Sequence, residues 1–428
     1  MRILNRSIRA LVAAALVPAA LSAQDVAIRN ATIITIANGD IANGTVVVRN
    51  GKITAVGANV AVPAGVRVID GTGKYVMPGI IDAHSHAMLE GGINEGAESV
   101  TPEVQVQVRA DDPVIYRSLA GGVTAAHLMH GSANTIGGQG RVVKLRWGSS
   151  AEDMLFKGAF RIVKFALGEN VTRASSTAPE DQRRFPMSRM GVDFTVRYWF
   201  TKAKEYDAEW AEYRTALRTN PAAIMPRRDL RLEALSDIMK GDLKIHSHSY
   251  RGDEILMLIR VADELGFKVH TFQHVLEGYK VADEMAKHGA MASTFADMWA
   301  YKVEAWDAIP HNMALMSQRG VTVSVNSDSD ERIRRLYQEA GIGVRYGNMS
   351  VNEALKMITL NPAKQLGVDK MVGTLETGKD GDIAVFSAHP FAAEAMVEYT
   401  IVDGKVLFDR AEAPTLRKQA AQGPGGTR

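Results

Sequence analysis

The sequence predicts an α/β chain: a (β/α)8 TIM barrel accompanied by a small β-sandwich domain that the two ends of the chain build together. Three observations predict it. Short apolar runs alternate with helical pattern through the middle, both ends are dense in β-like runs divided by turn signals, and polar residues recur where the central runs stop. At 428 residues, 46% hydrophobic and 23% charged, the chain can bury a large core. A formal net charge of +2 without a basic block or stripe argues against a nucleic-acid partner. No cysteine is present, which excludes disulfides, thiolate ligands and a cysteine nucleophile; any metal must then sit on His, a carboxylate or a modified Lys.

Residues 1–23 place Arg2, Arg6 and Arg9 ahead of an apolar run over 10–21 and small residues at Ser22 and Ala23. That layout is expected of a secretory signal peptide cleaved near Ala23, with an uncleaved amphipathic helix as the alternative. The mature product is expected to be periplasmic or secreted and free of the membrane, since no second long apolar run follows. Residues 24–77 read as the N-terminal part of the sandwich, with hairpin turns expected at Asn38-Gly39, Asn43-Gly44, Asn50-Gly51 and Asp70-Gly71. Residues 370–412 repeat the texture, with a strand at 382–386 and a hairpin about Asp403-Gly404, and 413–428 reads as a flexible tail.

Between them, 78–369 reads as the barrel. Its eight candidate strands are 80–86, 122–129, 141–147, 161–166, 243–248, 268–274, 290–293 and 321–328, with helical pattern over 253–265, 279–287 and 312–318. Such alternation argues for a parallel sheet, closed as a barrel or, alternatively, open and doubly wound. The connection over about 169–242 is far longer than a usual loop and carries helical pattern over 195–217 with Arg183, Arg184, Arg189 and Arg197, so it is expected to cap the strand ends.

The first barrel run ends in His84 and His86, which an extended strand points to one side as a ready chelate. Lys164 interrupts an apolar run, and His248, His274 and Asp328 end theirs. Each has an ordinary reading alone: Lys164 reaching solvent, His274 as a hydrogen-bonded core histidine, Asp328 capping a helix. Buried charge is costly unless paired or metal-bound, and together these residues describe a site.

With those pieces in place, the chain resembles the metal-dependent amidohydrolase superfamily, and within it the imidazolonepropionase- and prolidase-like branch. The resemblance rests on Pro78-Gly79-Ile-Ile-Asp-Ala-His-Ser-His86, Lys164 before Phe165-Ala-Leu-Gly-Glu-Asn170, His248-Ser-Tyr-Arg251, Gln273-His274, Asn326-Ser-Asp328, Asn361-Pro-Ala363 and 373–382, in that order. It implies that His84, His86 and Asp328 hold one divalent metal ion and His248 and His274 a second, with Lys164 bridging them as a carbamate. Zinc suits the N/O ligand set, and Mn, Fe or Co are compatible with it. His246 is as well spaced as His248; the Ser-Tyr-Arg that follows His248 favours the latter.

The implied chemistry is hydrolysis of an amide or peptide-like C–N bond in a small molecule. Hydroxide generated at the metals attacks, while Asp328 takes a proton and returns it to the leaving nitrogen. His130 is the candidate donor to the developing oxyanion, and Tyr250 to the same oxyanion or to a substrate carboxylate, ordinary hydrogen bonding being the alternative for both. Arg189 is a candidate to pair with a free carboxylate, which would suit a dipeptide or N-acyl amino acid, a solvated charge on a cap helix being the alternative. A cyclic-amide hydrolase and a catalytically silent barrel scaffold are the rival readings, and the oligomeric state stays open, a homo-oligomer included.

Overall fold

The computed structural model describes residues 25–173, 179 and 183–413. The expected signal peptide, and the tail beyond residue 413, lie outside the described residues. The front of the chain forms β1 (Val26–Ile34), β2 (Asp40–Arg49), β3 (Lys52–Gly57), β4 (Arg67–Asp70) and β5 (Tyr75–Pro78). The middle supplies β6 (Ile80–Ser85), β7 (Val123–Leu128), β8 (Ile136–Gln139), β9 (Arg141–Lys144), β10 (Arg161–Ala166), β11 (Leu243–His248), β12 (Val269–Gln273), β13 (Met291–Thr294) and β14 (Val323–Val325). The end adds β15 (Ile383–Phe386), β16 (Val397–Val402) and β17 (Lys405–Asp409).

Front and end share one sheet, ordered β17-β16-β15-β5-β1-β2-β3 with β4 beside β1. Strand β5 is the joint: it runs antiparallel to β15 and parallel to β1. Val26, Ile28, Val46, Val48, Ile383 and Ile401 are buried in a cluster of this sheet's own. Asn50-Gly51 and Asp403-Gly404 make the tight hairpins their sequence predicts, each with two consecutive left-handed residues. Asn43-Gly44 does not reverse the chain; it lies inside β2, where Asn43 (φ 48°) accompanies a shift of register against β1. The sheet is also mixed, because residues 58–66 carry the chain back so that β4 runs parallel to β1.

The barrel strands are buried on both faces, as an apolar run flanked by helices requires; every residue of β6 and β7 is buried. Strand β6 pairs parallel with β7, and β10 to β14 form a parallel arc. The seam between β14 and β6 is bridged by the Asp328 amide, which donates to the His84 carbonyl at 3.0 Å. The third barrel position corrects the expectation of an all-parallel sheet. There β8 and β9 form one run bent at Gly140, whose first half lies antiparallel to β10 and whose second half lies antiparallel to β7. Residues 129–135 contain no helix, and without a crossover element the chain leaving β7 can only return in the opposite sense.

Two features fix how the layers meet. A Cβ on Gly79 would stand 2.2 Å from Thr124 Oγ1, so only glycine lets β5 pass into β6 across β7. Lys144, at the end of β9 and 1% exposed, reaches Asp380 at 2.7 Å, Asp403 at 2.5 Å and Asp382 at 3.1 Å, tying the barrel to the shared sheet. Burial works against its charge, but the three carboxylates hold the ammonium above its ordinary range.

The expected insertion contains the helices Arg189–Ala216 and Leu230–Lys240. Ser188 caps the first by accepting from the Gly191 amide, and Phe200 stacks on Phe267 at 4.0 Å to dock it on the barrel. Among the described residues no helix is long and apolar enough to cross a membrane.

Candidate metal centre

Six predicted residues are delivered by five strands. His84 lies in β6 and His86 one residue beyond it, Lys164 lies in β10, His248 ends β11, His274 follows β12, and Asp328 follows β14. Those are the C-terminal ends of the parallel strands, the mouth where barrel sites form. His274 (φ 59°) and Asp328 (φ 49°) are both left-handed, a conformation that costs a non-glycine residue free energy and that collects at functional sites.

The structure brings most of these groups into direct contact. His84 Nε2 is 3.0 Å from Lys164 Nζ, 3.3 Å from His86 Nε2 and 3.5 Å from Asp328 Oδ1. Asp328 also approaches His86 Nε2 at 3.1 Å and His274 Nε2 at 3.7 Å. The His248 and His274 rings lie 5.1 Å apart, and Tyr250 packs edge-on to His248 at 4.5 Å. His246 faces other partners: its Nδ1 accepts from Gln273 at 2.9 Å and its ring stacks on His270.

Electrostatics make His84, His248 and His274 neutral donors beside one anion. Burial holds the imidazoles of His84 and His248 well below their ordinary value and pushes His274 down to about 3. Burial likewise brings the Lys164 amine down to about 7, with Asp328 opposing the shift in part. Burial alone would raise the Asp328 carboxyl, but His274 and His86 hold it well below the carboxylate range.

The donor set fits a divalent cation. Both ring nitrogens of His248 and of His274 are buried without a hydrogen-bond partner, an arrangement that costs free energy unless something accepts their lone pairs. His84, His274 and Asp328 each offer a ligand atom, all within 4.8 Å of one another. His86 Nδ1 donates to the Met129 carbonyl at 2.9 Å, which leaves its Nε2 lone pair toward Asp328.

Two expectations need correction. His130 cannot serve as an oxyanion donor in this arrangement: its Nδ1 donates to the Gly131 carbonyl at 3.0 Å, and burial lowers the ring to about 4. A neutral imidazole carries one proton, so the buried Nε2 presents a lone pair. Arg189 does not offer its guanidinium to a substrate, because it is engaged by Glu254 and by Glu304 (2.8 Å), both buried. Tyr250 fits its expected role better; burial and its 2.5 Å contact with the Tyr301 hydroxyl raise the phenol, which therefore keeps its proton.

Sequence reasoning passed over Asp82 and His127. Asp82 accepts from the Ser327 hydroxyl (2.5 Å) and from the Ser327 and His84 amides, pinning the turn that carries Asp328 to the first metal-type strand, and burial lifts its carboxyl to about 7. His127 sits buried beside His246. Both betray themselves by the signal that exposed Lys164, a titratable residue inside an apolar strand.

A largely parallel barrel that gathers imidazoles, an amine and a carboxylate at its C-terminal mouth defines the class as a barrel hydrolase. The chain belongs to the amidohydrolase family, and it acts as a hydrolase of C–N bonds. Residues 208–408 match that family, and the chain is 32% identical, with a TM-score of 0.82, to the crystal structure of an amidohydrolase from Thermotoga maritima, covering 90% of this chain and 100% of that one. It is 21% identical over 406 residues to an imidazolonepropionase from Thermoplasma acidophilum, covering 86% of this chain and 90% of the relative. It is also 27% identical over 396 residues to the amidohydrolase tasK from Hapsidospora irregularis, where it covers 86% of its own length but spans only 40% of that protein. An adenosine deaminase from Xanthomonas campestris with bound zinc shares the fold at 16% identity and a TM-score of 0.55, over 93% of this chain and 97% of that one.

Proposed function

We propose that the chain is a two-metal amidohydrolase that cleaves a linear amide in a small carboxylate-bearing substrate, a dipeptide or an N-acyl amino acid. The observation that carries the proposal is the meeting of the Asp328 carboxylate, the Lys164 amine and the Nε2 atoms of His84 and His86 within 3.5 Å contacts at one barrel mouth. In this reading His84, His86 and Asp328 would hold one ion and His248 and His274 the other, with Lys164, as a carbamate, the anionic oxygen donor available to both. An amine lowered to about 7 is partly neutral at neutral pH, the form that adds carbon dioxide and releases a proton. Zinc suits the imidazole and oxygen donors. A divalent metal, when bound, supplies Lewis acidity, which acidifies water and polarises an amide carbonyl.

The chain's own groups handle positions and protons. Asp328 takes the proton of the attacking water on a carboxylate oxygen and returns it to the leaving nitrogen, so the products are an acid and an amine. Tyr250 donates its hydroxyl proton to a substrate oxygen when Tyr301 donates to it, and His130 accepts from a substrate N–H or orients a water. Lys302 stands 4.3 Å from the Tyr250 ring, but its ammonium is already engaged by Glu304 at 3.1 Å and by Asn170 at 2.9 Å, as Arg189 is by Glu254 and Glu304.

The imidazolonepropionase relatives favour a second reading, opening of a cyclic amide. A screen of zinc-loaded protein against dipeptides, N-acyl amino acids and five-membered cyclic amides separates the two. Release of amine and carboxylate from linear substrates supports the proposal, turnover of cyclic amides alone replaces it, and absence of stoichiometric metal from the purified protein supports the silent scaffold.

A further inference from the structure

The geometry points to Gln273 as a positioning residue that sets where the protons sit on two buried histidines and so keeps the metal-facing nitrogen of His84 unprotonated. The inference rests on the proposed metal centre. Gln273 is fully buried at the end of β12, and its amide lies between two rings: Oε1 is 3.2 Å from His84 Nδ1 and Nε2 is 2.9 Å from His246 Nδ1. An amide oxygen only accepts and an amide nitrogen only donates. His84 must therefore carry its proton on Nδ1 and His246 must leave Nδ1 bare.

The two consequences have opposite sense. On His84 the remaining lone pair is on Nε2, the atom 3.0 Å from Lys164 Nζ and 3.5 Å from Asp328 Oδ1. On His246 the proton is on Nε2, which is buried without an acceptor and cannot serve as a ligand. The His127 ring lies edge-on to it at 5.2 Å. Turning the amide over would put its nitrogen against His84 Nδ1, force the His84 proton onto Nε2, and aim an N–H at the cation position. One amide orientation thus assigns His84 to the metal and His246 to the barrel interior, although the two rings are equally buried and both neutral.

The test compares the native protein with Gln273→Met and Gln273→Glu, measuring zinc(II) affinity by competition with a chromophoric chelator and the melting temperature of the metal-free proteins. Met keeps the volume and removes both hydrogen bonds; Glu restores an acceptor for His84 Nδ1–H. The expected result is a 10- to 100-fold loss of zinc affinity in Gln273→Met, about the range for losing a ligand's hydrogen-bond partner. Gln273→Glu should recover affinity to within about threefold of native even where its metal-free protein melts lower, since a carboxylate accepts from the His84 N–H at least as strongly as an amide. Native-like affinity in Gln273→Met overturns the inference, as does a loss in Gln273→Glu equal to that in Gln273→Met, which would mark a packing role. Failure of the native protein itself to bind zinc would instead remove the metal centre on which the inference rests.

Discussion

Asp328 is held in left-handed backbone with its amide donated to His84, which fixes its Cα at the seam between β14 and β6 and its carboxylate within reach of the imidazoles. Asp328→Asn keeps the shape and removes the base. Steady-state kinetics on a substrate found in the screen should show kcat lower by about 10²- to 10⁴-fold with the protein still folded by circular dichroism; undiminished kcat would take Asp328 out of the chemistry. Six ligand candidates were legible from sequence because charged or metal-binding side chains stood in apolar runs. His127 emitted the same signal outside any motif, and Asp82 stood inside the motif over 78–86 but was overshadowed there by the two histidines. Gln273 was hidden for a different reason: a neutral side chain in a strand violates no rule of burial until its two partners are seen.

Among the connecting elements, the helix Arg189–Ala216 shows why a charge in a sequence does not reveal its job. The partners of Arg189 lie 65 and 115 residues away, on the helix Gly252–Leu265 and on the loop after β13, and no local pattern announces them. Arg189→Met takes the cation from buried Glu254, while Glu304 keeps Lys302 at 3.1 Å, and should cost about 2–3 kcal/mol in urea unfolding, less than for a fully enclosed pair because Arg189 is half exposed. A substrate-binding arginine would instead raise KM without loss of stability. Lys144→Met leaves buried Asp382 without its cation, Asp380 keeping Lys52 at 2.5 Å and Asp403 keeping Arg146 at 2.6 Å, and a loss of about 3–5 kcal/mol is expected, with new protease cutting near residue 380 as the sheet loosens from the barrel. An unchanged denaturation midpoint would show the cluster to be incidental. Strand existence was readable in the barrel except at β8 (Ile136–Gln139), whose two glycines hide it, whereas direction was not, since apolar composition is the same whichever way a strand runs; only the helix-free stretch 129–135 encoded the reversal of β8 and β9.

For the molecule as a whole, the buried imidazoles set an acid limit on the metal-free protein. Burial keeps His127 and His274 neutral to about 3 and His130 and His270 to about 4, whereas each takes a proton near 6.5 once unfolded. Below 6.5 the unfolded chain binds more protons, so stability falls as pH falls, by about 1.4 kcal/mol per ring per unit. Asp82, raised to about 7 by burial, opposes this by one proton. The net loss reaches, within about two units, the roughly 5–15 kcal/mol that keeps a domain folded. The melting temperature of metal-free protein should drop steeply between about pH 6.5 and 4.5, and a flat profile there would contradict the burial of these rings.

The joint at β5 also bears on how such a chain is made. Strand β5 and its partner β15 are separated by the entire barrel, so a nascent chain leaving the ribosome presents β1 to β5 with an open hydrogen-bonding edge until the last three strands emerge. Completion of the sheet begun by β1 to β5 waits on β15, and a premature stop before residue 383 would release not a shortened enzyme but one with an adhesive flank.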